Sequence, residues 1–276
     1  MSAQPDMPVS LVLVGAGKMG GAMLAGWQAR GLAGAGVSVL EPQPAPDIAA
    51  LCARHAIALN PSVLALAAPE VLVLAVKPQM LDAAAGGLQH LVGPDTLVLS
   101  IIAGKSVANL RARFPAARAI VRAMPNTPAA VGRGITGAFA TLAMSPRHKA
   151  CAIALLSAIG EVAWVGEEPL IDAVTAVSGS GPAYVFYLVE CLAEAGAALG
   201  LPTDLAARLA RVTVEGAGEL MHRDQASTPA TLRKNVTSPA GTTAAALDVL
   251  MAEGGLAPLM ARAVAAARQR TRDLSG

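Results

Sequence analysis

Val9-Ser10-Leu11-Val12-Leu13-Val14-Gly15-Ala16-Gly17-Lys18-Met19-Gly20 is the stretch whose reading decides the fold. An apolar run ends in a Gly-x-Gly-x-x-Gly turn, and a helical pattern rich in Ala, Leu and Met follows. Each glycine has a physical task. Gly15 permits a tight turn out of the strand. Gly17 lacks a Cβ, so the backbone can approach a pyrophosphate closely. Gly20 lets the helix pack against the strand, while free N–H groups at the helix start attract phosphate. The pattern alone is weak, and a glycine-rich turn of another α/β protein is the plainer alternative. Here the required context is present: strand before, helix after, and an acid, Glu41, closing the next strand about 20 residues on.

The rest of the first half alternates. Strands are expected at Leu11–Val14, Val37–Leu40, Val71–Val76, Leu97–Ile102, Arg118–Arg122, Ile135–Thr141 and Glu161–Val165. Helices are expected at Met19–Arg30, Ile48–His55, Pro61–Ala68, Leu81–Leu91, Ser106–Arg113 and Pro146–Ile159. Val71–Val76 is continuously apolar, as a strand covered on both faces should be. The alternation implies a parallel, doubly wound sheet. After about Gly166 the strand signals stop. Leu170–Val177, Pro182–Leu199, Thr203–His222, Pro229–Asn235, Thr242–Ala252 and Leu256–Arg272 all read as helices. The expected organisation is an α/β dinucleotide-binding domain over residues 8–166 and an all-helical domain over 167–276.

Composition excludes several classes. The chain has 276 residues, enough for one large or two ordinary domains; 54% are hydrophobic and 14% charged. Much of the apolar fraction is Ala. The most apolar segment, Ala183–Leu201, carries Glu190 and Glu194 near its middle, which argues against a membrane span. The apolar surplus points to an oligomer interface. A net charge of +2 and 3% aromatics leave neither the basic face nor the stacking platforms that nucleic acid requires. Met1–Asp6 lacks the basic start and apolar core of a signal peptide. Cys52, Cys151 and Cys191 show neither metal-ligand spacing nor a disulfide framework, and read as buried small hydrophobes in a reducing cytoplasm.

In an open α/β sheet ligands sit at the carboxyl ends of the strands. Four loops lie there: Gly15–Gly20, Ala75-Val76-Lys77-Pro78-Gln79, Ala103-Gly104-Lys105 and Met124-Pro125-Asn126-Thr127-Pro128. The last is either a rigid turn or a ligand loop. Glu41 at a strand end suits the adenosine ribose hydroxyls and repels a 2′-phosphate. No Arg or Lys follows it in Pro42–Asp47, which tilts the choice towards NADH, although Lys18 is placed to pair with a phosphate. In the helical half, Ser178-Gly179-Ser180-Gly181-Pro182-Ala183-Tyr184 is expected to break two apolar helices, for tight packing, for close approach to a ligand, or both. Lys234-Asn235-Val236-Thr237-Ser238-Pro239-Ala240-Gly241-Thr242-Thr243 leads into a helix. Its hydroxyls and free N–H groups suit a carboxylate, beyond the single N-cap that Ser238 or Thr242 would supply.

Gly15–Gly20, Ala75–Gln79, Arg122-Ala-Met-Pro-Asn-Thr-Pro128, Ser178–Tyr184 and Val236-Thr-Ser-Pro-Ala-Gly-Thr-Thr243 together resemble pyrroline-5-carboxylate reductase, in that family's order and over nearly the whole chain. The resemblance implies an N-terminal Rossmann-type domain and an all-α C-terminal dimerisation domain. It implies hydride transfer from NADPH or NADH to the imine carbon of 1-pyrroline-5-carboxylate, giving L-proline in the last step of proline biosynthesis, with the family tilting the donor towards NADPH where Glu41 tilts it towards NADH. By the same match, Thr243 would donate a hydrogen bond to the ring nitrogen, and Ser238, Gly241 and Thr242 would hold the carboxylate. Gly15, Ala16, Gly17, Lys18, Met19, Gly20, Glu41, Ser62, Ala75, Val76, Lys77, Pro78, Ile101, Ile102, Ala103 and Asn126 would line the cofactor. The implied assembly is a homodimer at least, with a decamer as the larger form found in relatives, located in the cytoplasm.

Two departures from the family pattern stand out. Ser-Pro-Gly-Gly becomes Ser238-Pro-Ala240-Gly241, which asks Ala240 for a conformation normally left to Gly. The acid usual before that loop is Lys234. A cyclic imine accepts hydride once its nitrogen is protonated or hydrogen-bonded, so orientation, carboxylate capture and one donor suffice. No metal or triad is required, and His55, His90, His148 and His222 are dispersed, as surface or capping residues are. The rivals are a β-hydroxyacid dehydrogenase or imine reductase of the same plan, and a nucleotide-binding regulator without turnover. The dehydrogenases resemble it in the first half but need a Lys in the helical half, where only Lys234 is found, in another context.

Overall fold

The computed structural model describes residues 7–274. The Met1–Asp6 stretch, read above for signal-peptide features, lies outside the described residues. The chain divides into two compact units: one runs to Ser180 and takes up the chain again from Ala267, and the other is Gly181–Ala266.

In the first unit, strand and helix follow each other as β1 Leu11–Val14, α1 Lys18–Ala29, β2 Val37–Leu40, α2 Pro46–Arg54, β3 Ala58–Leu59, β4 Val71–Leu74, α3 Leu81–Gly86, β5 Leu97–Ser100, α4 Val107–Arg113, β6 Ala119–Met124, β7 Gly134–Ala140, α5 Pro146–Ser157, β8 Gly160–Trp164 and α6 Leu170–Val174. The sheet order is β3-β2-β1-β4-β5-β6-β7-β8. Side chains of a strand alternate between faces, so one continuous apolar run feeds two cores. Leu11, Leu13, Val71, Val73, Leu97 and Leu99 join Trp27 and Leu155 on one face. Val12, Val14, Leu72, Leu74 and Val98 join Leu110 and Phe114 on the other. The Trp27 indole N–H donates to the Leu155 carbonyl at 2.8 Å, so this large buried side chain leaves no donor unpaired.

The parallel registers Val14↔Leu40, Val14↔Leu74, Leu74↔Ser100 and Ser100↔Arg122 bring the carboxyl ends of β2, β1, β4, β5 and β6 to one edge. Consecutive strands lie outward from β1 on one side and from β4 on the other. The crevice between them is therefore the topological switch point.

Several expectations need correction. The sheet is not wholly parallel, because β7 runs antiparallel to β6. Only a short 3-10 turn, Thr127–Val131, joins them, and a parallel crossover needs a dozen or more residues. β8 returns parallel to β7 through α5, which supplies that length. The helix expected over Pro61–Ala68 shrinks to a 3-10 turn at Val63–Ala65, with Leu66 already extended. The helix expected over Leu81–Leu91 stops at the Gly86-Gly87 pair and resumes as a 3-10 turn at Gln89–Leu91. β3 was not anticipated.

The strands end at Trp164, but the first compact unit runs on to Ser180. α6 packs on β6 and β7 and is tied to the sheet by charge. Arg122, buried on β6, pairs with Asp172 at 2.9 Å and Glu168 at 3.3 Å, and Glu168 also accepts the Val107 N–H at 2.7 Å. After α6 the chain is not broken at Ser178–Gly181, as expected, but widened into a π turn, Thr175–Gly179. The Ser178 hydroxyl donates to the Val174 carbonyl at 3.1 Å, and Gly179 lies where a Cβ would meet the Met124 side chain at 2.8 Å.

The second unit is helical: α7 Gly181–Ala198, α8 Thr203–Arg223, α9 Pro229–Asn235, α10 Thr242–Leu250 and the beginning of α11 Leu256–Asp273. α7 and α8 pack as an antiparallel pair, with Gly200 at φ +94° turning the chain between them. α7 has 18 residues and buries none of them. Phe186 and Tyr187 are 62% and 66% exposed in the single chain. No helix of the described residues is long and apolar enough to cross a membrane.

Candidate functional site

At the switch point the glycine turn is held by its neighbours. Gly15 sits at φ +92°, and a Cβ there would stand 2.7 Å from the Ala75 carbonyl oxygen. A Cβ on Gly20 would strike the Gly15 carbonyl oxygen, with the Ala75 Cβ at 3.3 Å. Gly17 is different: a Cβ there would meet nothing within 4 Å. Two glycines are therefore demanded by the protein itself, and the third borders open space. Gly17 is also the N-cap of α1, with no side chain capping it and no acid in the first turn. The opening N–H groups of a 12-residue helix thus face that space without a protein partner. This cradle fits a dinucleotide pyrophosphate.

A groove of about 740 Å³ runs from this turn past Lys18, Glu41, Gln43, Asp47 and Ile48. Glu41 is fixed in it. Its carboxylate accepts the Ala16 N–H at 2.9 Å through one oxygen and the Gln43 N–H at 3.1 Å through the other. Asn60 holds its backbone. The side-chain amide accepts the Glu41 N–H at 2.8 Å and donates to the Glu41 carbonyl at 2.8 Å. The Ala16 N–H is thus engaged by the acid, not left for a cofactor. Ser62 lies exposed just beyond β3, on the same edge.

The neighbouring loops complete the edge. Ala75 donates to the Val14 carbonyl at 2.8 Å and Ile101 to the Leu74 carbonyl at 3.0 Å, so the loop after each strand begins in register with the next. Lys77 precedes a 3-10 turn at Pro78–Met80 and is exposed. The Ile102 N–H bonds the buried Ser100 hydroxyl at 3.3 Å. Gly104, at φ +71°, lies against Leu274, whose carbonyl accepts from Lys105 Nζ at 3.5 Å. Asn126 is buried, and its Oδ1 accepts the Ile135 N–H at 2.9 Å, so its side chain serves the entry into β7.

In the second unit, the loop before α10 has the shape that its sequence foreshadowed. Ala240 is left-handed, φ +53°, a conformation more readily taken by Gly. The N-cap of α10 is Gly241, without a side-chain cap, so neither Ser238 nor Thr242 plays that part. Among the described residues, the hydroxyls of Ser238, Thr242 and Thr243 have no hydrogen-bond partner. The Gly241 N–H is not free: it donates to the Ser238 carbonyl at 3.1 Å. Gly241 is needed for another reason, since a Cβ there would fall on the Ser238 hydroxyl. The open donors are the hydroxyls of Ser238, Thr242 and Thr243 and the N–H groups of Thr242 and Thr243 at the helix tip. Thr237 is spent on the Arg233 carbonyl at 2.6 Å.

Sequence reasoning missed Asn60, Gln43 and the Arg122–Glu168–Asp172 cluster. An Asn-Pro pair closing a strand was the available signal for the first. Of the cysteines, Cys52 and Cys151 are buried, and burial pushes the Cys52 thiol up; Cys191 on α7 is only half-buried, against expectation. His148 joins Ser145 in the capping box of α5 and His55 caps α2, as dispersed histidines would.

Comparison with known proteins agrees with this architecture. Residues 168–274 match the family model described as pyrroline-5-carboxylate reductase dimerisation, and residues 10–104 match the one described as NADP oxidoreductase coenzyme F420-dependent. The pyrroline-5-carboxylate reductase of Pseudomonas aeruginosa is 39% identical over 266 residues, covering 96% of each chain. A solved pyrroline-5-carboxylate reductase from Coxiella burnetii superposes with a TM-score of 0.87 at 32% identity, over 98% of this chain and 99% of that one. The Plasmodium falciparum pyrroline carboxylate reductase, solved with NADP bound, gives 0.81 at 26% identity, over 98% of this chain and 100% of that one. The chain belongs to the pyrroline-5-carboxylate reductase family, oxidoreductases that use NAD(P)H to reduce 1-pyrroline-5-carboxylate to L-proline, the last step of proline biosynthesis.

Proposed function

We propose that the α10 tip is the substrate's anchor: the Ser238 hydroxyl with the Thr242 and Thr243 N–H groups takes the carboxylate, and the Thr243 hydroxyl donates to the ring nitrogen. The observation that carries this reading is the set of uncommitted hydroxyls on a helix start that no side chain caps. A carboxylate gains there both from charge-assisted hydrogen bonds and from the positive end of the helix. Gly241 keeps the Ser238 hydroxyl in place by leaving it room. Thr243 polarises the C=N bond by holding a hydrogen bond on nitrogen as charge there changes.

The cofactor is held by the first unit. The α1 start takes the pyrophosphate, Glu41 the adenosine ribose, and the Ala75–Pro78 and Ile101–Ala103 loops the nicotinamide half. When bound, the reduced nicotinamide supplies the hydride. Glu41 tilts the preference towards NADH: its carboxylate, pinned at both oxygens, meets a 2′-phosphate with like charge. The assembly is a homodimer at least, with a decamer as the larger form, and cysteines kept in the thiol form suit the cytoplasm.

Thr243→Val tests the anchor. Turnover with 1-pyrroline-5-carboxylate, followed by loss of reduced-nicotinamide absorbance, should fall by roughly ten- to a thousandfold, as losing one such donor does, while the dissociation constant for NADH stays nearly unchanged. Equal turnover in the variant would sink the role of donor. Oxidation of a hydroxy acid in place of imine reduction would favour the dehydrogenase reading.

A further inference from the structure

Asn60 occupies a backbone conformation that Asn tolerates better than most L-residues but that the residue after it disfavours. It is left-handed, φ +50°, and Pro61 follows it. An L-residue meets its own carbonyl there, and a following proline pushes its neighbour towards extended geometry. Such a conformation persists only where the surroundings over-determine it, and it collects at functional sites. The surroundings are specific. The Asn60 N–H donates to the Val39 carbonyl at 2.8 Å, continuing the β2–β3 ladder one step past Val39↔Leu59. Its side-chain amide then pairs with both the N–H and the carbonyl of Glu41, each at 2.8 Å, as a further rung would. Asn60 therefore ends β2 at a set height, and Glu41 is the residue so fixed.

A negative charge discriminates against a 2′-phosphate only if it cannot move aside. Glu41 is half-buried, and if its backbone shifted, the carboxylate would lose its reach to the Ala16 and Gln43 N–H groups and turn towards solvent. Asn60 at the backbone, with Ala16 and Gln43 at the carboxylate, removes that escape. We infer that Asn60 is a positioning residue for cofactor specificity: by clamping the Glu41 backbone it keeps the carboxylate against the ribose 2′ position, and so sets how strongly the site rejects a 2′-phosphate. The inference rests on the proposed role of Glu41 at the ribose.

Calorimetric titration of the intact protein with NAD⁺ and with NADP⁺ tests both. Asn60→Gly deletes the clamp and keeps the left-handed backbone accessible. The ratio of the two dissociation constants should move towards NADP⁺ by roughly three- to tenfold, the size of a pairwise coupling. Glu41→Ser should move it at least as far in the same direction. In the double variant Asn60→Gly should add nothing, because the charge it positions is gone. Asn60→Ser shortens the side chain, so it no longer spans both the N–H and the carbonyl of Glu41, and adds no charge; a shift in the same direction is expected, and this variant carries the test if the glycine variant does not fold. A ratio unmoved by Asn60→Gly but moved by Glu41→Ser overturns the role of Asn60 and leaves that of Glu41. A ratio unmoved by Glu41→Ser overturns both. Equal loss of affinity for the two nucleotides, with a lowered Tm, makes Asn60 a structural residue only.

Discussion

Gly17 and Gly20 are the same residue three positions apart, yet the structure asks different things of them. At Gly20 the missing Cβ is required by the fold, because the Gly15 carbonyl occupies its place. Gly20→Ala should destabilise the protein by about 1–3 kcal/mol, the usual cost of forcing an extra carbon into a packed site. At Gly17 nothing of the protein lies within reach, and the backbone, φ −65°, suits any residue. Gly17→Ala should leave Tm unchanged and weaken dinucleotide binding by roughly tenfold or more, since the methyl enters only ligand space. Thermal unfolding together with titration separates the two variants. Ala240 completes the set. It carries a Cβ in a left-handed turn, a strain of about 1–2 kcal/mol by general estimates, at the lip of the loop that ends in Ser238–Thr243 geometry.

Among elements, α6 shows charge added to hydrophobic docking, since Ile171 is buried and Val174 packs on Gly137 beside the ion pairs. Arg122 is buried on a central strand and is held there by Asp172 and Glu168. Arg122→Met should cost about 3–5 kcal/mol in urea unfolding, because it strands two carboxylates against the sheet. Arg122→Met combined with Asp172→Leu should lose less, since fewer charges are left unpaired. This cluster was not legible in the sequence: an Arg inside an apolar strand and two acids some 50 residues on leave no local trace. The strands themselves were legible because helices cover both faces, so Val71–Leu74 is wholly apolar and Leu97–Ser100 is polar only at its last residue. The direction of β7 was not, since apolar alternation is the same read either way. β3, with two residues, is too short for any period to register. At the site, the glycine turn, Glu41 and the open tip of α10 could be read from residue types in order. Asn60 and the engaged Ala16 N–H could not, because their partners, the Glu41 backbone and the Glu41 carboxylate, are brought close only by folding; the Gly241 N–H is taken by a local turn onto the Ser238 carbonyl, which residue types alone do not declare.

The whole molecule carries its apolar surplus on its helical unit. Phe186, Tyr187, Leu188 and Leu192 stand out along α7, and Val249, Leu250 and Met251 end α10 in the open. The family's dimerisation region covers residues 168–274, so a second copy is the expected cover. Phe186→Asp should shift the sedimentation profile to smaller species, since a charge would be desolvated in the shared core; an unaltered profile would place the interface elsewhere. The lack of any buried residue in α7 has a consequence for how durable the protein is. One protomer cannot hide that helix, so acquiring shape and finding a mate become a single mass-action equilibrium, and the midpoint of heat denaturation slides downward as the solution is diluted.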